Sequence, residues 1–473
     1  MKIILSNIIQ IKEPTKEIID YCKTKLTFTN PDYSKKMQMG LWLGRIPKYI
    51  KLYDIYEEDV YLPIGCFKDI YRMYPNPALY HDYSVVVPRK IDSSINLRDY
   101  QKPCLNALKK HVNGILVLPC GLGKTECALQ IASYLGQKTL FITHTNDLVN
   151  QAHDRCVEKM KCSTSFIKAG TVDTSGDITF ATVQTLFKNL DKINQNEFGL
   201  VITDECHHTA STADSVCMFR TCIDYFAARY KLGLTATLHR ADGLQGCIPK
   251  IIGDVIYDIM QDGDDYVGIY EGKEILRFPI NQFQVPAEVI FTDTGYSLYD
   301  NKHDCYRDVF DKSGMTISYA KLINDISMNT ERNKLIIDIC NKTKGSTIIL
   351  SDRVEQLKYL HEHIKDSVEI DGKTNKKLRE KALEDIKNGK YRVLLASYPL
   401  AKEGLDCKIL QNVIFATPIK DEAIVIQCIG RAQRTYPGKT KAYVYDLVDD
   451  VSMFTKFVTK RRGIYKRKGW YKK

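Results

Sequence analysis

The chain has 473 residues, 44% of them hydrophobic, so it can bury several cores, and its length predicts about three domains. A formal net charge of +11 at pH 7 favours a polyanionic partner such as nucleic acid. The 15 cysteines are scattered without a C-x-x-C pair, and no apolar run approaches the roughly 18 residues of a membrane span. These features argue against a zinc site, a secreted disulfide scaffold and a membrane partner, and we expect an intracellular, reducing location.

Residues 1–92 predict a small α+β domain that is rich in tyrosine and charge. Between residues 26 and 53 basic side chains alternate with aromatic ones, around Asn30, Trp42 and Arg45. Such interleaving can grip a nucleic-acid backbone and stack on bases, and it also suits a small aromatic core with exposed lysines. We favour an accessory nucleic-acid-binding domain over a purely structural one.

A short polar motif at residues 97–101 comes just before a helical run. The amide of Gln101 offers both a donor and an acceptor, so it can read the edge of an adenine base. Arg98 can pack near the same base. Its position shortly before the loop described next supports a role in binding the base of a nucleotide.

The stretch 118–125 predicts a cradle for nucleotide phosphates. It lies between an apolar run typical of a buried parallel strand and a helical pattern. Gly121 and Gly123 let backbone N–H groups surround phosphate oxygens. Lys124 can reach the β- and γ-phosphates, and Thr125 can hold Mg²⁺. Leu118 stands where the full motif has glycine, so an ordinary glycine-rich turn is the alternative.

Two further strands, at residues 139–143 and 178–185, end in turns rich in hydroxyl and amide groups. Thr145, Thr182 and Gln184 lie in these turns. At the carboxyl edge of a parallel sheet they can donate to the phosphates of a bound strand without reading its bases. Helix capping is the alternative role for such residues.

An apolar strand at residues 200–203 runs directly into a pair of acids. Asp204 is placed to hold the Mg²⁺ shell, and Glu205 to orient and deprotonate an attacking water. His207 follows, and we interpret it as a relay between the nucleotide and the bound strand. Adjacent His207 and His208 diverge, which argues against a metal pair.

A last strand of this half ends in Thr235 and Thr237 and is followed by Arg240 and Asp242. With the phosphate loop and the sequence Asp-Glu-Cys-His that begins at Asp204, these residues resemble the superfamily 2 helicases and translocases. The resemblance extends from residue 97 to residue 434. It implies that these four residues contact nucleic acid or couple it to the nucleotide.

The second half predicts another doubly wound unit, after a connector at residues 262–318 that has an irregular pattern and contains strands. Strands and helices alternate from residue 346 to residue 445, without a second phosphate loop. This pattern indicates two RecA-like lobes that share one nucleotide. The resulting fold class is α/β, with two RecA-like parallel-sheet lobes and a small α+β amino-terminal domain, divided at 1–92, 93–262 and 263–473.

Two motifs of the second half resemble those of the same superfamily. Gly404 and Asp406 resemble a motif that couples nucleotide and strand contacts. Gln427, Arg431 and Arg434 resemble the motif Q-x-x-G-R-x-x-R. Arginines three apart share one helix face, so both can point at the γ-phosphate and stabilise charge in the transition state. A solvated basic helix face is the alternative.

The carboxy-terminal stretch 460–473 contains many basic residues and no acids. It predicts either a nucleic-acid-binding or targeting tail or a solvated terminus, and the sequence leaves the two open.

The motifs look most like those of DNA-directed enzymes of the superfamily: XPB-type and UvsW-type helicases and the helicases of poxviruses and other large DNA viruses. One departure is Ala241, where XPB-type proteins have glutamate. The resemblance implies a nucleic-acid-stimulated ATPase that uses ATP and Mg²⁺ and moves 3′→5′ on single-stranded or forked DNA. Such a motor could act in transcript release, repair or recombination, and its partners would then be the transcription or repair machinery.

Three rival functions are compatible with parts of this pattern. An RNA helicase, acting on RNA or an RNA–DNA hybrid, shares nearly every motif. A restriction-type motor would need a nuclease, for which we find no paired-acid and lysine pattern. A non-catalytic scaffold would be expected to lose Lys124, Glu205 or an arginine, and all are retained.

Overall fold

The computed structural model describes residues 1–119, 121–210, 217–240, 242–300, 302–311, 314, 316–403 and 407–471. Two compact units divide the chain. The first contains residues 1–260 and 267–277, and the second contains residues 261–266 and 278–473. Gly404 and Asp406, two of the predicted site residues, and Ala241 lie outside the described residues.

The amino-terminal part of the first unit is a small α+β arrangement. Apolar residues alternate along its first strands, with Ile3, Ile9 and Ile11 fully buried, as expected for strands with one face on a core. One sheet has the order β5-β6-β2-β1-β7, and a separate hairpin pairs β3 with β4. The elements are β1 (Lys2–Leu5), β2 (Ile9–Lys12), α1 (Lys16–Lys25), β3 (Thr27–Thr29), α2 (Pro31–Gln38), β4 (Tyr49–Lys51), β5 (Asp54–Tyr56), β6 (Asp59–Leu62), α3 (Phe67–Met73) and β7 (Tyr80–Asp82).

The rest of the first unit is built on a ten-stranded sheet. Its order is β13-β12-β14-β10-β15-β16-β9-β17-β18-β19. The elements are β8 (Asp92–Ser93), α4 (Lys102–Lys110), β9 (Asn113–Val117), α5 (Lys124–Leu135), β10 (Thr139–Thr143), α6 (Asn146–Lys159), β11 (Met160–Lys161), β12 (Thr164–Lys168), β13 (Thr171–Val172), β14 (Ile178–Thr182), α7 (Val183–Phe187), β15 (Leu200–Thr203), α8 (Met218–Tyr225), β16 (Tyr230–Thr235), α9 (Cys247–Ile251), β17 (Val255–Asp262), β18 (Asp265–Tyr270) and β19 (Lys273–Pro279).

Parallel pairing runs without interruption from β12 to β17. Every residue of β10, β14 and β15 is buried, because helices cover both faces of a parallel sheet. Parallel strands end at one edge of the sheet, so the loops after β9, β10, β14, β15 and β16 all emerge there. These are the loops that carry the predicted site residues.

The predicted domain limits fall inside regular structure. The limit at residue 92 falls within the first unit, where residues of the amino-terminal sheet share a core with Ile115, Cys206 and Ile248. The limit at residue 262 falls at the end of β17, and β18 and β19 extend the first sheet beyond it. The connector therefore contains strands, as the sequence predicted, and two of them belong to the first sheet.

The second unit contains a parallel six-stranded sheet of order β20-β27-β26-β23-β25-β24. The predicted α/β fold class, with two doubly wound parallel-sheet lobes, is confirmed. The elements are β20 (Ala287–Ser297), β21 (Tyr299–Asp300), β22 (Cys305–Tyr306), α10 (Tyr319–Met328), α11 (Thr330–Lys342), β23 (Ser346–Ser351), α12 (Val354–His363), β24 (Ser367–Ile370), α13 (Lys376–Lys387), β25 (Val393–Ser397), α14 (Tyr398–Glu403), β26 (Leu410–Phe415), α15 (Glu422–Ala432), β27 (Ala442–Asp450) and α16 (Ser452–Arg467).

The carboxy-terminal stretch is part of the second core, which neither sequence-based interpretation anticipated. Helix α16 extends to Arg467, and its Tyr465 is fully buried. Arg461 is buried against Asp446 of β27, with both side chains at most 2% exposed. Trp470, after the helix, is buried as well. A basic run can pack in this way because the buried arginine meets a buried carboxylate.

Candidate ATP site and coupling network

The phosphate loop joins β9 to α5 through two glycines in the left-handed region. Gly121 has φ +86° and Gly123, the residue before the first turn of α5, has φ +79°. A Cβ added at Gly123 would lie 2.4 Å from Nε2 of Gln101. The positive φ at both positions favours glycine, and a side chain at residue 123 would also displace the amide of Gln101. The first N–H groups of α5, which have no partner within the helix, are available to phosphate oxygens.

Lys124 and Thr125 are the first two residues of α5. The Nζ atom of Lys124 lies 3.9 Å from Oε1 of Glu205, and both side chains are mostly buried. The helix start and the paired acids, 80 residues apart in sequence, thus meet at the sheet edge.

Asp204 and Glu205 follow β15 with opposite electrostatic environments. Burial raises the pKa of Asp204, and the neighbouring charge of Glu205 raises it further. Burial would also raise the pKa of Glu205, but Lys124 and His207 outweigh it and the pKa lies below its usual value. Glu205 is held at φ +49°, in the left-handed region, and its N–H donates to Asp204 Oδ1 at 3.0 Å.

The donor set fits Mg²⁺. The hydroxyl of Thr125 and the carboxylate of Asp204 are the hard oxygen ligands that this ion prefers. A buried carboxyl whose pKa is raised by a second acid is a place where a divalent cation would stabilise the charged form.

A chain of polar contacts leads from Glu205 to the next strand end. Nδ1 of His207 lies 3.3 Å from Glu205 Oε2 and 3.1 Å from Thr235 Oγ1. The hydroxyl of Thr235 donates to the carbonyl of Thr237 at 2.7 Å. His207, at the predicted relay position, therefore connects Glu205 with the loop after β16.

The loop after β16 is held by a forked ion pair. Arg240 donates through Nε to Asp242 Oδ1 at 2.9 Å and through Nη2 to the other carboxylate oxygen. Its Nη1 donates to the carbonyl of His207. Arg240 and Asp242 thus belong to the same network as the acid pair.

Gln101 lies behind the phosphate loop, with its amide engaged there. Its Oε1 accepts from the N–H of Arg98 at 2.9 Å, and its Nε2 donates to the carbonyl of Leu122 at 2.9 Å. Arg98 Nη1 donates to the hydroxyl of Tyr100 at 3.0 Å. The structure thus shows Gln101 supporting the loop, and its reading of adenine stays a prediction.

The turns after β10 and β14 show local roles for their polar residues. Thr145 accepts from the N–H of Leu148 at 3.3 Å and caps α6, as the alternative interpretation predicted. Thr182 is buried and donates to Thr185, and Gln184 donates to the carbonyl of His144 at 3.0 Å. Their contacts with a bound strand stay predictions.

In the second unit, only part of the arginine motif is helical. Gln427 and Arg431 lie on α15, which ends at Ala432. The expectation that Arg434 shares their helix face is wrong. Residues 433 and 434 pair instead with residues 284 and 285, since Val285 N–H donates to the carbonyl of Gln433 and Arg434 forms a bridge with Gln284.

Sequence reasoning missed Glu126, which ties α5 to α6. Its Oε1 accepts from Arg155 Nη1 at 2.6 Å, and its Oε2 would lie 3.1 Å from a Cβ at Gly123. An acid in the first turn of a helix was visible in the sequence. Its arginine partner lies on another helix, and no local pattern identifies it.

Comparison with known proteins gives matches in both halves of the chain. Residues 94–240 match the family described as type III restriction enzyme, res subunit, and residues 331–436 match the helicase conserved C-terminal domain. The chain is 28% identical over 340 residues to a DNA 3′-5′ translocase, XPB2, of Sulfurisphaera tokodaii, covering 67% of this chain and 73% of that protein. It is 26% identical over 485 residues to helicase D10 of Escherichia phage T5, covering 99% and 95%.

The fold has solved counterparts. The structure of S. cerevisiae Dbp5 bound to RNA and ADP BeF3 superposes with a TM-score of 0.52 at 16% identity, covering 87% of this chain and 93% of that one. Among the helices of the described residues, none is both long and apolar enough to cross a membrane.

Proposed function

Because the chain belongs to the superfamily 2 helicases and translocases, we propose that it is an ATP-dependent motor that moves 3′→5′ along DNA or unwinds it. The observation that carries the proposal is the continuous set of contacts from Lys124 through Glu205 and His207 to Thr235. Such a set of contacts can pass a change at the phosphates to the loop after β16, at the sheet edge proposed to bind the nucleic-acid strand.

Hydrolysis would be carried out by groups that the structure already holds together. The loop N–H groups and Lys124 bind the phosphates, and Lys124 then leaves the carboxylate of Glu205 free. Lys124 lowers the pKa of Glu205, so its departure makes the carboxylate a stronger base, which orients the attacking water and accepts its proton. Mg²⁺, held by Thr125 and Asp204, would neutralise charge on the phosphates. A role of Arg431 and Arg434 in stabilising the transition state stays a prediction from their resemblance to the motif Q-x-x-G-R-x-x-R.

DNA is the proposed substrate because the XPB2 relative is named as a DNA translocase and the chain is strongly basic. RNA is the second candidate, since the Dbp5 structure with the same fold holds RNA. Contacts to phosphates would make binding independent of base sequence on either polymer.

The test is ATPase and unwinding activity on forked, 3′-tailed and 5′-tailed substrates made of DNA and of RNA. We expect ATPase stimulation by DNA and unwinding of the 3′-tailed form. Lys124→Ala and Glu205→Gln should each abolish hydrolysis, while Glu158→Gln, at an exposed site on α6, should not. Retained DNA-stimulated hydrolysis in either site variant would refute the assignment, and stimulation by RNA alone would replace the DNA proposal.

A further inference from the structure

An exposed hydrophobic tip projects from the amino-terminal part of the first unit. It is formed by residues 37–42, at the end of α2 and just beyond it, where Met37, Met39, Leu41 and Trp42 are all exposed. Trp42 is the extreme case, with 87% of its surface exposed. Large apolar side chains clustered at an exposed tip mark an interaction site more often than a random surface.

The tip is held at both ends and is not a loose loop. β3 and β4 pair antiparallel on either side of it. Asn30, fully buried between them, donates to the carbonyl of Pro47 at 3.0 Å through its side chain and to the carbonyl of Lys48 at 3.0 Å through its backbone. The N–H of Leu41 donates back to Lys36 at 2.9 Å.

A glycine lies beside the exposed tryptophan ring. Gly44 has φ +58°, and a Cβ there would lie 3.3 Å from Cζ3 of Trp42. The six-membered ring therefore rests against the backbone of Gly44. An aromatic ring supported in this way loses little conformational entropy when a flat partner stacks on it.

The charge around the tip identifies the kind of partner. The segment 31–51 contains five basic residues, Lys35, Lys36, Arg45, Lys48 and Lys51, against the single acid Asp32. The neighbouring β5–β6 hairpin presents the opposite case, since Tyr56 is 64% exposed among four acids within residues 54–59. Cations flanking an exposed ring suit a polyanion whose units also stack.

We propose that this tip is a second nucleic-acid contact, at which Trp42 stacks on a base of single-stranded DNA while Lys35, Lys36 and Arg45 bind its phosphates. The inference rests on the proposed motor function. It adds a grip on the strand outside the sheet edge that carries the ATP site. Stacking is tolerant of base identity, so the contact does not compromise movement along any sequence.

Fluorescence gives a direct test because the chain has two tryptophans. Trp470 is 8% exposed, so a Trp470→Phe protein leaves Trp42 as the reporter. Adding an oligo-dT strand without ATP should quench its emission and protect it from acrylamide. Unchanged emission while a labelled oligo-dT strand binds, measured by anisotropy, would overturn the proposal. Quenching by anionic vesicles, or by raised protein concentration, in place of DNA would overturn it too.

Binding measurements supply the energetic test. Trp42→Ala should weaken oligo-dT binding about five-fold or more, since a base stacked on an aromatic contributes at least about 1 kcal/mol. Tyr56→Ala is the matched control and should have no effect. Neutralising Lys35, Lys36 and Arg45 together should reduce the salt slope of log K by about 2. Equal affinities of the Trp42 and Tyr56 variants would refute the stacking role.

The outcome separates this inference from the motor function. If DNA stimulates the ATPase but the fluorescence emission of Trp42 does not change, the motor proposal stands and the tip proposal fails. If oligo-dT quenches Trp42 but no nucleic acid stimulates hydrolysis, the motor proposal fails and the tip is a binding site alone. A response to oligo-rU equal to that to oligo-dT supports stacking without recognition of the sugar.

Discussion

Arg461→Ala would leave a carboxylate buried in the second unit without its main partner. Arg461 donates to the two oxygens of Asp446 at 2.7 and 2.5 Å, and Tyr465 donates to the same carboxylate at 2.7 Å. Both members of the ion pair are at most 2% exposed. Removing one partner of a buried pair costs about 3–5 kcal/mol, because the remaining charge is uncompensated. We expect a loss of this size in the free energy of unfolding.

Urea unfolding followed by Trp470 measures this loss. A Trp42→Phe background confines the emission to the second unit, where the ring of Trp470 lies 6.3 Å from that of Tyr465. At about 2–3 kcal/mol per molar urea, the Arg461→Ala midpoint should fall by about 1–2.5 M. Lys460→Ala, at the adjacent exposed position, should change the free energy by less than about 0.5 kcal/mol. If the two variants shift alike, α16 is not anchored by this pair.

Three further outcomes are expected. Gly123→Ala should remove most ATPase activity, because it strains the left-handed turn and displaces the Gln101 amide that holds the phosphate loop. Gly170→Ala, also at positive φ but in open space, should keep kcat, and equal rates would contradict the loop geometry. Burial lowers the pKa of Lys231 to about 8, so between pH 8 and 10.5 the unfolded state binds more protons than the folded state. Over this range the free energy of unfolding should therefore rise by on the order of 3 kcal/mol relative to that of Lys231→Met. A pH-independent difference between the two proteins in urea unfolding would refute this. Arg240→Lys loses the forked contact with Asp242, so base pairs unwound per ATP should fall several-fold; an unchanged ratio would exclude Arg240 from coupling.

The sequence predicted the sheets and the ATP-site loops because their signals are local. Strands buried on both faces read as continuous apolar runs, as in β10, β14 and β15. Phosphate-binding glycines and paired acids directly follow such runs. Once the strands are parallel, the geometry of the sheet brings Lys124 and Glu205 to one edge.

The parts that sequence reasoning missed depend on partners far along the chain. Arg434 leaves its helix because its backbone pairs with Gln284, 150 residues earlier. Arg461 is buried because it forms an ion pair with the buried Asp446, although a basic run normally indicates a solvated surface. Gln101 turns to the phosphate loop because the second glycine of that loop leaves room for its amide. In each case the deciding neighbour is set by tertiary structure.

Glu205 has a strained, left-handed backbone at the position whose carboxylate the proposed reaction needs. A side chain other than glycine, asparagine or aspartate costs on the order of 1–2 kcal/mol at such a position. A glycine there would relieve this strain, but it would also remove the carboxylate that contacts the mostly buried ammonium of Lys124 and that is proposed to activate water. The charge contacts of Glu205 with Lys124 and His207 thus offset the strain in its backbone, and the same contacts hold the carboxylate at the site. Substitutions meant to stabilise this enzyme are better placed far from Glu205, which follows the end of β15.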